Sequence, residues 1–171
     1  MQNQKVEKNE LKLVGISVRT NNAKEFDPKT AKIAEIWGNF LSQNLHLKIS
    51  NAKNMTEIVA VYCEYESDCN GDYTFFLGKE VTKFAEDSEL LDGQKLFKNL
   101  VIPAQKYEKF TTDSGKMPEI CINAWKKIWE IEQTSESVLY QKRAYLADFE
   151  VYDHRAMDPE NSIVDIFIGI K

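Results

Sequence analysis

Three short segments of this chain recur at near-constant spacing. Ile36-Trp37-Gly38-Asn39-Phe40 lies over Ala124-Trp125-Lys126-Lys127-Ile128, an offset of 88 residues. Ala60–Tyr65 (AVYCEY) lies over Ala147–Tyr152 (ADFEVY) at an offset of 87, and Phe76-Leu77-Gly78 over Phe167-Ile168-Gly169 at 91. One spacing kept across three separate elements marks an internal duplication. A duplicated chain of this kind is constrained to build two like units around a shared core.

The elements support the same reading. Leu11–Thr20 alternates as a strand, with Gly15 pointing to a bulge or a close backbone approach. Asp27-Pro28 is expected to open a helix as N-cap and first helical residue, and Ile33, Ile36, Trp37, Phe40 and Leu41 fall on one face of it. Ile58–Ser67 and Asp72–Val81 read as strands around Asp68-Cys69-Asn70-Gly71, where Asn-Gly signals a hairpin. Ala85–Asn99 reads as a connector with a short helical turn at Leu96–Phe97. The order then restarts. Leu100–Asp113 is a strand interrupted by Pro103, Met117-Pro118-Glu119 opens a second helix with Cys121, Ala124, Trp125, Ile128 and Trp129 on its apolar face, and Tyr145–Asp153 and Ile163–Lys171 are strands.

The expected fold class is α+β: duplicated β-α-β-β units in an antiparallel sheet, or two abutting half-sheets, with both helices on one side. Residues 1–10 are expected to be a disordered tail. Residues 11–171 form one domain of two pseudo-repeats, 11–84 and 100–171, joined by the connector.

Composition excludes several function classes. A formal net charge of −5 argues against a nucleic-acid backbone as the main partner. Cys63, Cys69 and Cys121 have no metal-ligand spacing, and their odd number suggests free thiols in a reducing cytoplasm. There is no signal-peptide core and no run of the roughly 18 apolar residues a membrane span needs. His46 and His154 lie outside any nucleophile motif and read as surface residues, and no phosphate-cradling glycine loop is present. No metal and no cofactor are expected.

The remaining chemistry centres on Tyr145–Asp153, where Glu150 sits between Phe149 and Val151 in an otherwise aromatic and β-branched strand. Such an acid is either on the wet face or buried. An unpaired carboxylate costs several kcal/mol, roughly, to bury, so a buried one needs a purpose. The duplication places Glu150 over Cys63, a residue type usually found inside, which favours the buried reading. The aromatics are more numerous than a core needs: Trp37, Phe40, Trp125 and Trp129 on the helices, and Tyr62, Tyr65, Phe75, Phe76, Phe149, Tyr152 and Phe167 on the strands. A cleft lined by such rings and holding one carboxylate would suit a flat apolar cation, each ring adding about 0.5–2 kcal/mol of cation–π attraction.

The run Val101-Ile102-Pro103-Ala104-Gln105-Lys106-Tyr107, then Phe110, Gly115, Ala124-Trp125, Phe149–Asp153 and Val164–Ile168, resembles the GyrI-like small-molecule-binding domain, the effector-binding domain attached to AraC-type and MerR-type bacterial regulators. The resemblance covers nearly the whole chain after Asn9. It implies a duplicated fold with a central ligand cleft and assigns Glu150 the pairing with lipophilic cationic drugs. The cleft residues expected on this basis are Glu150, Trp37, Trp125, Trp129, Phe40, Tyr65, Tyr152, Phe76 and Phe167, with Trp37 and Trp125 first among the rings.

The ten polar residues before the first strand cannot hold a helix-turn-helix, so direct DNA binding is not expected, and any role in transcription would run through a partner. The expected function is a stand-alone protein that binds lipophilic cationic aromatic molecules as sensor or sequestering agent. Two alternatives stay open. One is a protein-interaction module resembling the gyrase-inhibitory protein. The other is a hydrolase of reactive aromatic toxins, with Glu150 as general base. The partner could equally be a second copy of the chain or a separate regulatory protein.

Overall fold

A computed structural model of the chain describes residues 1–85, 90–91, 94–134, 139 and 142–171. The strands are β1 (Gln2–Lys8), β2 (Leu11–Thr20), β3 (Ile58–Cys63), β4 (Tyr73–Glu80), β5 (Leu90–Leu91), β6 (Gln94–Lys95), β7 (Lys98–Ile102), β8 (Gln105–Thr111), β9 (Ala147–Tyr152) and β10 (Asp165–Ile170). The helices are α1 (Asn22–Glu25), α2 (Ile33–Ser42), α3 (Leu45–Lys48) and α4 (Glu119–Glu132). Eight strands form one antiparallel sheet in the order β1-β8-β10-β9-β3-β4-β2-β7, and β5 and β6 pair separately. The fold is α+β, with a β-α-β-β unit on each side of the β9–β3 junction.

The sheet must curl. β7 and β8 lie six strand spacings apart in this order, about 29 Å if the sheet were flat. Yet only Pro103-Ala104 joins Ile102 to Gln105, a reach of about 11 Å at most. Residues from both ends of the order accordingly meet on one face, where Leu13 and Ile102 pack with Val6, Tyr107, Val61, Phe76, Phe149 and Phe167. This is the concave core. The helices cover the other face: Ile36 and Phe40 of α2 pack on Ala60, Phe75 and Leu77, and Cys121, Ala124 and Ile128 of α4 on Phe110, Ile166 and Ile168. A groove is left between α2 and α4 above the central strands.

Several expectations are corrected. Residues 2–8 are not a frayed tail: β1 pairs with β8 from Gln2↔Thr111 to Lys8↔Gln105. α2 begins at Ile33, not beside Pro28. Asp27 instead closes a turn through Thr30 and Ala31, and the first amides of α2 are capped from a distance, Lys32 and Ile33 donating to the Glu25 carboxylate at 3.1–3.2 Å. Asn70-Gly71 does not make a two-residue hairpin. β3 stops at Cys63, where Glu64 takes φ 51°, and the loop runs to Asp72. The strand expected at Leu100–Asp113 is two strands on opposite flanks of the sheet. Leu96 and Phe97 are not helical. The rest of the expected connector includes residues 86–89 and 92–93, which lie outside the described residues.

The proposed repeat alignment is also shifted at one element. Val61 pairs with Phe76 and Phe149 with Phe167. With Phe76 over Phe167, Val61 therefore lies over Phe149, and the counterpart of Glu150 is Tyr62. Cys63 points into the concave core on the opposite face, because a one-residue slip in a strand reverses every side chain.

Gly15 pairs directly with Gly78, and a Cβ on Gly15 would lie 2.1 Å from the Leu77 carbonyl oxygen. Gly15→Ala should therefore destabilise by at least about 2 kcal/mol in chemical denaturation. Gly38→Ala, in the exposed middle of α2 where a Cβ meets nothing within 4 Å, should stabilise by about 0.5–1 kcal/mol. Equal effects of the two would contradict this packing.

Candidate functional site

Strand alternation sends Asp148, Glu150 and Tyr152 of β9 to the helix-covered face. The register with β3 sets Ala60 opposite Glu150, between Ile58 opposite Tyr152 and Tyr62 opposite Asp148. On the β3 side the cross-strand neighbour of Glu150 is thus a methyl group, which leaves room above it, while on the β10 side it is Ile166. The helices fill the flanks. Trp125 of α4 packs edge-on against Tyr62 of β3 at 5.0 Å, and Trp37 of α2 edge-on against Tyr152 of β9 at 4.9 Å. Each helix thus meets a tyrosine from the other half of the chain.

Glu150 is 2% exposed. Its Oε1 accepts from the Trp125 indole N–H at 2.5 Å and, more loosely, from the Tyr62 hydroxyl at 3.4 Å, and its Oε2 accepts from the Tyr152 hydroxyl at 2.6 Å. All three donors are neutral. Burial raises its pKa above the ordinary 4.5, against the opposing pull of the bonds from Tyr152, Trp125 and Tyr62. The same burial, with the Glu150 charge, pushes the phenols of Tyr62 and Tyr152 well up and the Cys121 thiol to about 12. These groups stay protonated as donors, and Cys121 is a poor nucleophile.

Asp148, two residues away on the same face and fully buried, is treated differently. The Arg143 guanidinium donates to its Oδ2 at 2.8 Å, Tyr65 donates to the same oxygen at 2.6 Å, and the Gly169 amide donates to Oδ1 at 2.8 Å. Arg143 also pairs with Glu132 at the end of α4. Burial disfavours the charged guanidinium, but Asp148, Tyr65 and Glu132 outweigh it and hold it protonated. The chain thus supplies a cation to Asp148. Among the described residues it supplies none to Glu150.

Above Glu150 lies a cleft of about 900 Å³ between α1, α2 and α4. The expected residues Glu150, Trp37, Trp125, Trp129, Tyr65 and Tyr152 line it. Phe40 does not: it is fully buried beneath α2. Phe76 and Phe167 do not either, since both point into the concave core, where Phe167 stacks on Phe149 at 4.4 Å. Tyr62, counted among the strand aromatics but not among the expected cleft residues, also lines it, as do Tyr73, Ile58 and Phe26, which the sequence did not single out. An offset of 88 in place of 87 would have found Tyr62. Phe26 has no periodic signal, because it follows the four-residue α1. It is 67% exposed and reaches Trp129 on the opposite wall at 6.1 Å. His46 is half-buried beside Phe40, not a free surface residue.

Residues 6–170 match the family model of Cass2, integron-associated effector-binding proteins. The chain belongs to this family. The family is one of GyrI-like effector-binding proteins, as the sequence resemblance implied. The chain is 32% identical over 160 residues to YobU of Bacillus subtilis (strain 168), named as a candidate transcriptional regulator, covering 94% of this chain and 92% of that one. The integron cassette protein VCH_CASS2 of Vibrio cholerae superposes with a TM-score of 0.74 at 27% identity, covering 99% of this chain and 95% of that one. The structure of SAV2435 bound to tetraphenylphosphonium superposes with a TM-score of 0.73 at 18% identity, covering 100% and 94%.

The folded state holds the Glu150 proton more tightly than the unfolded chain does. Its contribution to stability is therefore present below pH 4.5 and lost as pH rises through the raised value. Glu150→Gln should melt above wild type at pH 7, with the gap closing on acidification below the ordinary glutamate range. A gap independent of pH would contradict this, as would a less stable variant at pH 7.

Proposed function

We propose that this chain binds lipophilic cationic aromatic molecules in the cleft between α2 and α4, with Glu150 as the counter-charge. It acts as a cytoplasmic sensor or sequestering protein in transcription or drug response. One observation carries the reading. Two buried carboxylates share one strand face, and among the described residues only Asp148 has an internal cation. A cation arriving from outside supplies what Glu150 lacks, and the indole and phenol rings beside it add apolar area and cation–π attraction.

Membership of an effector-binding family and the tetraphenylphosphonium held by SAV2435 support the same class of ligand. The three free thiols and the absence, among the described residues, of a helix long and apolar enough to cross a membrane fit a cytoplasmic location. Phe26, Leu41, Ile122 and Met157 are exposed apolar residues at the cleft mouth, and they favour a second reading in which a partner protein seats there.

Tryptophan fluorescence gives the test, because Trp125 touches Glu150. Tetraphenylphosphonium should quench the wild type saturably at micromolar concentration, and Glu150→Gln should weaken binding about tenfold or more, a loss of about 1.4 kcal/mol. Equal responses, or none, would remove Glu150 as the anchor and bring the partner reading forward.

A further inference from the structure

The hydrogen-bond state of Glu150 specifies the kind of cation. We infer that the cleft selects cations without N–H donors, such as quaternary ammonium and phosphonium centres, over protonated amines on the same aromatic frame. This rests on the cation-binding reading above and narrows it.

Both oxygens of Glu150 are already engaged, Oε1 by Trp125 and Tyr62 and Oε2 by Tyr152. A protonated primary amine brings three donors, each of which must find an acceptor once it leaves water. One N–H fits on the remaining lone pair of Oε2, but to engage Glu150 with more than one it must displace Tyr62, Trp125 or Tyr152. The displaced indole or phenol donor is then stranded, and a buried donor without a partner costs about 1–3 kcal/mol. The groups around Glu150 offer little in exchange. Beyond the oxygens of Tyr62 and Tyr152 they include ring carbons, the Ala60 methyl, Ile166 and the Cys121 thiol, and the other carboxylates lining the cleft hold partners of their own, Glu25 the amides of Lys32 and Ile33 and Asp153 the Arg155 guanidinium. Asp148 is no substitute acceptor, being held by Arg143, Tyr65 and the Gly169 amide.

A quaternary centre needs none of these acceptors. It is attracted by the full charge of Glu150 while all three donors stay in place. Its alkyl or aryl groups meet the rings of Trp37, Trp125, Tyr62 and Tyr152. The selectivity is negative as well as positive: a carboxylate with one free acceptor site penalises a competitor that brings three donors.

The test is calorimetric titration of the full chain at pH 7 with three probes on one biphenylmethyl frame: (4-phenylbenzyl)trimethylammonium, (4-phenylbenzyl)ammonium and 4-neopentylbiphenyl, the neutral carbon isostere of the first. The trimethylammonium should bind about tenfold or more tightly than either of the others. Comparison with the neutral isostere separates charge from added methyl groups. Tyr152→Phe frees a second lone pair on Oε2 and should narrow the gap between the two cations to about threefold or less. Trp125→Phe frees Oε1 and repeats the test if the first variant folds poorly.

Primary ammonium binding as tightly as the quaternary probe in the wild type would overturn the inference and leave the cation reading standing. So would a gap unmoved in a folded donor-removal variant. If neither cation binds, or the neutral isostere binds as well as the trimethylammonium, the cation reading fails and this inference falls with it.

Discussion

Asp148 and Glu150 leave the same face of β9, and the protein neutralises only the first. Asp148 has a guanidinium, a phenol and a backbone amide, so its charge is satisfied within the fold. Glu150 has two short hydrogen bonds, a third that is loose and, among the described residues, no charge partner. Hydrogen bonds from neutral donors lower the cost of burying a carboxylate but do not cancel its charge. A site in this condition has free energy to recover from a cation that fits. The aromatic walls, the cleft volume and the family membership all bear on what that cation is, but the unpaired charge is the reason one is needed.

Delivering Glu150 to this position is the work of the whole sheet. The curl imposed by the short β7–β8 connection packs the concave face with apolar side chains from both ends of the strand order. That fills the middle of the concave face and leaves the helix side for the cleft above Glu150. The two halves meet at β3 and β9, so the groove between α2 and α4 falls over the central strands. Ala60 leaves space opposite Glu150, while the tryptophans of both helices supply the walls. Phe26 and Trp129 approach each other across the mouth. The site is composite, each half giving a tryptophan that packs on the other half's tyrosine.

Much of this could be read from the residues. Alternation in Leu11–Thr20 located β2 to the residue, and the recurrence of Trp37 at Trp125 identified the two helices that wall the cleft. Other features were hidden for physical reasons. β1 has one apolar residue in seven and exists because β8 offers it a pairing edge. The start of α2 is set by a cap from Glu25, which no local motif announces. Glu150 was expected inside from its match to Cys63, which faces the other way; its true counterpart, Tyr62, is one of its hydrogen-bond partners. Phe76 and Phe167 were assigned to the cleft because composition cannot say which face of a strand a ring occupies. Register decides that, and register is a property of the folded sheet.

The most direct test follows the protonation of Glu150 itself. Carbon-13 NMR of glutamate-labelled protein, with the Glu150 carboxyl assigned by its loss in Glu150→Gln, can be titrated with and without saturating tetraphenylphosphonium. The account predicts a midpoint above 4.5 in the free protein and a clear fall when the cation is bound, because a buried counter-charge favours the ionised form. A midpoint at or below the ordinary value in the free protein, or one that the bound cation leaves unmoved, would contradict the claim that Glu150 is a buried charge awaiting its partner.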